Sequence, residues 1–267
     1  MATQKDGRVR ALENEVKVLR TLHRLGWARS QDIAATVWTR WAQRPVGEPD
    51  FKPVVPTASA LRMAQRTLKR LRAARQVLHG QAMNGSVIYS LAEGGARRLR
   101  ELGVPAETGK DLVRQFSAAQ FMHRSVGNQL AVSGITAGFR VTTENEVARG
   151  RWFGGVDGVA AKKPDVLFND GRRIWWMETE KSRRNARDHQ RLLVWLTAVR
   201  DDAMRPSGST LLPHGLRWAK VVFVCAPTFQ VKLCRDLLAA GWKQDGIDSI
   251  IMFKPTLYSN EEIRFAY

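Results

Sequence analysis

The chain has 267 residues, 44% of them hydrophobic, which is enough for ordinary globular cores in one large domain or two smaller ones. Its 43 Lys and Arg against 25 Asp and Glu give a formal net charge of +18. That excess favours a polyanion, nucleic acid first, because neutralising phosphates releases counterions. No apolar run approaches the roughly 20 residues needed to span a bilayer, and Met1 to Gly7 lacks the apolar core of a signal peptide. The expectation is a cytoplasmic protein without a membrane span. The two cysteines, Cys225 and Cys234, match no zinc-site spacing and read as packing residues in a reducing compartment.

From the amino terminus, Val9, Leu12, Val16, Leu19, Leu22 and Leu25 recur at three- and four-residue steps and predict an amphipathic helix ended by Gly26. Ser30 is placed to cap a second helix over Gln31 to Val37, and the Pro-rich stretch from Pro45 to Pro56 stops it. Thr57 can cap a third helix, with Leu61, Ala64, Leu68 and Leu71 inward and Arg62, Arg66, Lys69 and Arg70 projecting elsewhere. Two short runs, Val77 to His79 and Val87 to Leu91, flank Asn84-Gly85 and predict a β-hairpin, followed by a helix from Ala92 to Leu102. Three helices and then a hairpin is the order of a winged helix-turn-helix domain, expected over residues 1–105. Its third helix would enter the major groove of double-stranded DNA, which makes Arg62, Arg66, Lys69 and Arg70 candidate DNA-binding residues, for phosphates more than for bases. A charged stripe can also be a solvated helix face. Its coincidence with the third helix in so basic a chain favours DNA.

Residues 106–267 form the second expected domain. A helical pattern runs from Asp111 to about Thr136, with Phe116, Ala119, Met122, Val126 and Leu130 inward. A strand at Phe139 to Thr143 precedes a hairpin over Lys162 to Lys181, and a basic helix from about Asn185 to Arg200 follows. A buried strand at Lys220 to Cys225, a helix from Phe229 to Ala240 and a last strand at Ile247 to Phe253 complete the order. The fold class expected is α+β, the second domain being an α/β domain with a mixed sheet.

The hairpin is the most informative segment. Asp170-Gly171 is a strong turn pair, and pairing Asn169 with Arg172 puts Asp165 opposite Trp176, with Glu178 diagonal to it at roughly 7–8 Å. Strand alternation sends Asp165, Trp176, Glu178 and Glu180 to one side. Three carboxylates gathered there repel one another and are expensive to bury uncompensated. A hard divalent ion, Mg²⁺ or Mn²⁺, is their natural guest; a solvated hairpin with scattered acids is the alternative. Trp175, Trp176, Trp195 and Trp218 read as core rather than base-stacking platforms.

Pro164-Asp165, followed thirteen positions after Asp165 by Glu178-Thr179-Glu180, resembles the signature of the PD-(D/E)xK nucleases, and the element order is similar to that restriction-endonuclease-like fold. The resemblance implies Asp165 and Glu178 as metal ligands. The position two residues on, usually a Lys that orients the attacking water, is Glu180 here, as in some restriction enzymes of the fold. Lys181 comes one residue late, and Lys163 could lean in instead. A winged helix ahead of such a core, with His123, Arg124 and Asn128 on the leading helix and Glu144 and Glu146 before the hairpin, is similar to the replication-relaxation proteins and the MobC-type relaxases of mobilisable plasmids. This resemblance implies nicking of DNA at a transfer origin, with single-stranded DNA, a coupling protein and accessory mobilisation proteins as further candidate partners.

On that reading Asp165, Glu178 and Glu180 are the candidate metal ligands. Glu180 or Glu146 completes the shell or serves as general base, and Lys181 and His123 join the candidate catalytic residues. Lys181, Arg183, Arg184 and Arg187 could restore attraction for the phosphodiester backbone, or be a solvated basic helix. His123 and Asn128 lie about 140° apart around a helix axis, so the role of His123 rests on the resemblance alone. Relaxases commonly use a Tyr nucleophile, but Tyr89, Tyr258 and Tyr267 are all remote in sequence from the hairpin. Metal-dependent hydrolysis or an unusual covalent step is favoured over a standard tyrosine relaxase, although the tail tyrosines remain open. The alternative from another class is a non-enzymatic DNA-binding initiator or regulator whose nuclease-like domain has lost chemistry through Glu180. A restriction endonuclease is a third possibility.

Overall fold

In the computed structural model, which describes residues 6–82, 85–114, 118–180 and 185–255, the chain is a mixed α+β protein of two units. The first comprises residues 1–41 and 53–136, the second residues 42–52 and 137–267.

In the first unit, α1 (Gly7–Leu25) starts at Asp6, whose side chain accepts the Arg8 N–H, and buries Val18, Leu19, Leu22 and Leu25. Val9 and Leu12 share the apolar repeat yet stay exposed. Gly26, at φ +78°, ends the helix and leads into β1 (Trp27–Arg29). This strand has no sequence signature, because three consecutive buried residues show no alternation. In α2 (Ser30–Val37) Ser30 is the first helical residue rather than the cap. The capping carboxylate is Asp32, which accepts the Arg29 backbone N–H at 2.9 Å and its guanidinium at 2.9 and 2.8 Å, both side chains being buried.

The third helix, α3 (Ala58–Ala73), is capped as expected: Thr57 Oγ1 accepts the Ala60 N–H at 3.1 Å. Thr57→Ala should therefore destabilise the protein by about 1 kcal/mol in urea denaturation; no change would mean that packing alone holds this helix end. The strands β2 (Val77–Gln81) and β3 (Val87–Leu91) form an antiparallel sheet with β1 in the order β1-β3-β2. Helix α4 (Glu93–Glu101) crosses so close to the start of β2 that a Cβ on Gly95 would sit 2.2 Å from the Gln76 carbonyl oxygen. The helix expected from Asp111 is described over α5 (Lys110–Arg114) and α6 (Ala118–Thr136), residues 115–117 lying outside the described residues. Helix α6 belongs with the first unit. Phe121 stacks on Trp27 at 5.4 Å, and the Asn128 side-chain amide donates to the Trp27 carbonyl at 2.7 Å.

The second unit is built on β4 (Arg140–Thr142), α7 (Glu144–Ala148), β5 (Val166–Asn169), β6 (Arg173–Glu180), α8 (Ala186–Ala203), β7 (Arg217–Cys225), α9 (Pro227–Ala239), α10 (Gln244–Ile250) and β8 (Ile251–Pro255). The sheet order follows the chain order, antiparallel from β4 to β6 and parallel from β6 to β8. The strand expected from Ile247 begins only at Ile251. Ile247 and Ile250 are buried three residues apart on α10, a spacing that a short apolar run does not distinguish from a strand. Trp176, Val221, Phe223 and Cys225 pack on one sheet face with Leu192 and Leu196 of α8 and Leu233 and Leu237 of α9. Trp176 sits among Trp152, Trp195 and Trp218, with ring centroids 5.7, 5.0 and 5.9 Å away. On the other face Phe168 and Trp175 meet Phe139, and Phe51 stacks on Phe168. The tryptophans are thus core, and Cys225 is a buried free thiol. No described helix is long and apolar enough to cross a membrane.

Candidate functional site

The β5–β6 hairpin turns on Gly171-Arg172 rather than Asp170-Gly171. Asp170 Oδ1 accepts the N–H groups of Arg172 and Arg173 at 2.9 and 2.7 Å, which draws Asp170 out of the loop, and Gly171 takes φ +103°. Asn169 therefore pairs with Ile174, not Arg172, and the register moves by two residues. A shift of two preserves the faces. Asp165, Trp176, Glu178 and Glu180 remain on one side, but Asp165 now comes level with Glu178, one step beyond the Val166–Met177 pair. The Asp165 N–H donates to the Met177 carbonyl at 3.0 Å, and its Oδ2 accepts the Thr179 N–H at 2.6 Å.

Glu178 is 3% exposed, and both of its oxygens are engaged. Oε2 accepts from Lys162 Nζ at 2.6 Å, and Oε1 accepts from the Trp176 indole N–H at 2.6 Å. Burial pushes its carboxyl up to about 7, Lys162 pulling against that rise and Asp165 adding to it. Lys162 is the residue that sequence reasoning missed in favour of Lys163 and Lys181. It is presented by a two-residue turn in which Val159 and Lys162 exchange backbone hydrogen bonds of 2.8 and 3.1 Å. Both turn residues, Ala160 and Ala161, sit in the left-handed region at φ +49° and +61°. Alanine carries a steric penalty there that Asn-Gly would avoid, and such strain concentrates where geometry serves a purpose. Lys162 Nζ also lies 5.5 Å from the Trp195 ring centre, and a hollow of about 620 Å³ bordered by Lys162, Asp188, Arg191 and Trp195 opens beside it.

Glu180 is buried and pairs across the sheet with Cys225, whose thiol is pushed up to about 12 by burial first and by Glu180 next. Among the described residues no group of three or more His, Cys, Asp and Glu side chains is placed to hold a metal ion. Glu180 stands one strand repeat beyond Glu178 on the same side, level with Cys225, and does not join Asp165 and Glu178 in such a group. What remains is a pair, Asp165 and Glu178. That pair fits Mg²⁺, which is commonly bound by one or two carboxylates with water and substrate phosphates completing its shell. Lys162 would have to yield Glu178 Oε2 to the ion.

Glu146 caps α7: its Oε2 accepts the Thr143 N–H at 2.9 Å, and its own N–H donates to Thr143 Oγ1. His123 lies partly buried on α6 of the first unit, and Tyr89 lies on β3 of the same unit. Arg187 is exposed in the first turn of α8. Lys181, Arg183, Arg184, Tyr258 and Tyr267 lie outside the described residues.

On α3, Arg62, Arg66 and Lys69 are exposed at steps of four and three and form one stripe, with no carboxylate in ion-pair reach among the described residues. Arg70, four residues after Arg66 and also exposed, continues the stripe but is ion-paired. Its Nε lies 3.3 Å from Glu15 Oε1, and Arg98 holds the other oxygen of the same carboxylate at 3.0 Å, so Arg70 ties α3 to α1.

No family model, curated protein or solved structure matches the chain. The resemblance to PD-(D/E)xK nucleases and to MobC-type relaxases therefore stands on the motif residues alone.

Proposed function

We propose that the protein is a metal-dependent DNA-nicking endonuclease of relaxase type: a winged helix joined to a PD-(D/E)xK-like centre made of Asp165, Glu178 and Lys162. The observation that carries this reading is the Lys162–Glu178 contact of 2.6 Å beside Asp165. It supplies from the preceding turn the ammonium group that the nuclease signature places where Glu180 stands. The element order α1-β1-α2-α3-β2-β3 supports a winged helix with α3 as its DNA-reading helix. Three antiparallel strands followed by two parallel ones, with Asp165 at the mouth of β5 and Glu178 on β6, support the nuclease-like unit.

In this reading Asp165 and Glu178 would be the residues that hold the ion. A divalent ion there would acidify its water and offset charge on the phosphate. Lys162 faces the same point with a compact positive charge, suited to a phosphate oxygen or to orienting the attacking water. The likeness to MobC-type proteins narrows the substrate to a plasmid transfer origin in the cytoplasm, with a coupling protein or accessory mobilisation proteins as partners. Incubation with supercoiled plasmid carrying the neighbouring origin, with and without Mg²⁺ or Mn²⁺, should yield nicked circles only with the ion. Resolving them with and without protease separates hydrolysis from covalent attachment.

A second reading, a non-enzymatic DNA-binding initiator or regulator, is favoured by one observation: Lys162 and Trp176 already satisfy both Glu178 oxygens. It predicts specific gel shifts and intact plasmid with every metal. In either reading the α3 stripe contacts phosphates. Replacing Arg62, Arg66 and Lys69 by Ala should reduce the slope of log K against log salt by about 2.7, near 0.9 for each phosphate contact. An unchanged slope would remove α3 from the interface.

A further inference from the structure

We propose that the first unit carries a second nucleic-acid site, which takes a base and the flanking phosphates of single-stranded DNA. The proposal rests on the reading of this protein as DNA-binding, but not on the nicking chemistry. Beside α1 lies a hollow of about 400 Å³ with an apolar floor that includes Leu25, Val37 and Ile135. Trp41 stands at its edge with 49% of its surface exposed, and its indole N–H donates to the Thr36 carbonyl at 2.7 Å, which fixes the ring. Lys17, Arg20 and Arg24 line the same hollow, and among the described residues that line it there is no carboxylate. An aromatic face over an apolar slot, rimmed by cations of one sign, is the chemistry that holds a stacked base and its phosphates without regard to sequence.

Two geometric facts select a strand over a free mononucleotide and over the duplex. The three cations span about 10 Å along the helix axis, more than a single phosphate requires, so they suit a run of phosphates. They also lie roughly 140–200° around α1 from Glu15, the residue that holds Arg70 of α3 and Arg98 of α4. The hollow therefore opens on the side of α1 turned away from α3, and a duplex on the α3 stripe would leave it free for a separated strand.

The test is fluorescence anisotropy of labelled (dT)12 with the full chain in EDTA, so that loss of nicking cannot affect the result. Wild-type protein should bind, and Trp41→Ala should weaken binding by about tenfold, as should Lys17→Glu with Arg20→Glu. Trp41→Phe should restore most of the affinity. Duplex binding should be unaffected by these changes and reduced by Ala at Arg62, Arg66 and Lys69. Failure of the wild type to bind, wild-type affinity in Trp41→Ala, or equal losses in Trp41→Phe and Trp41→Ala would each overturn the site. Displacement of (dT)12 by dTMP at equal nucleotide concentration would overturn the strand assignment in favour of a free nucleotide. Thermal melts of each variant establish that it is folded.

Discussion

Asp165→Asn and Lys162→Met proteins are each expected to nick supercoiled plasmid on the order of 10²–10³-fold more slowly than wild type, with DNA affinity retained. Asp165 sits level with Glu178 on the same side of the hairpin and is held there by the Thr179 N–H. Asn in its place keeps the shape and loses the charge on which an ion depends. Lys162 brings the one ammonium that touches this pair among the described residues, and Met keeps its stem without its charge. Glu180→Gln should have a far smaller effect, since Glu180 lies against Cys225 rather than in the pair. Gel-based nicking rates with saturating Mg²⁺, beside gel shifts of the same variants, check this. Wild-type rates from Asp165→Asn protein would end the nuclease assignment and leave the DNA-binding reading.

Stability should fall as pH rises from about 4.5 to about 7, by about 3 kcal/mol from Glu178 alone. The sign follows from the direction of the shift. Burial lifts the folded-state value above the unfolded one, so the folded protein binds the proton more tightly. The resulting stabilisation is complete below the unfolded value of 4.5, is lost as pH climbs to about 7, and is flat beyond. Glu178→Gln removes the titration. In urea denaturation with EDTA, wild type should lose about 3 kcal/mol more than Glu178→Gln between pH 4.5 and pH 8. Parallel pH responses of the two proteins would show that Glu178 does not hold a proton in the folded state. The same group gives nicking a pH dependence of opposite sense, because the ion needs the carboxylate: the rate should rise with pH, at a midpoint that falls as Mg²⁺ concentration is raised.

Much of the local structure was legible because it depends on near neighbours in the chain. The Thr57 cap, the exposed stripe of Arg62, Arg66 and Lys69, and the positive φ of Gly171 all follow from residues within a few positions of one another. The misreadings have equally definite causes. Three buried residues in β1 offer no period, and Ile247 with Ile250 satisfies a helix as well as a strand. Nothing near Arg70 in the chain signals its ion pair with Glu15, 55 residues earlier. Glu146 has a local partner, Thr143, and the pattern Thr-x-x-Glu marks a capping box that could have been recognised.

The sequence by itself determined that Asp165, Glu178 and Glu180 share one side of a ribbon. The strand period is two, and a register error of two leaves every face unchanged. Only the tertiary structure decided which of these acids meet and what neutralises them. Lys162 reaches Glu178 across sixteen residues through two alanines in left-handed conformations, and Trp176 turns its N–H to the same carboxylate under a roof of tryptophans from α8 and β7. Strand alternation specifies direction within one strand, whereas a buried charge takes its partner from whatever side chain the packed chain brings within hydrogen-bond distance.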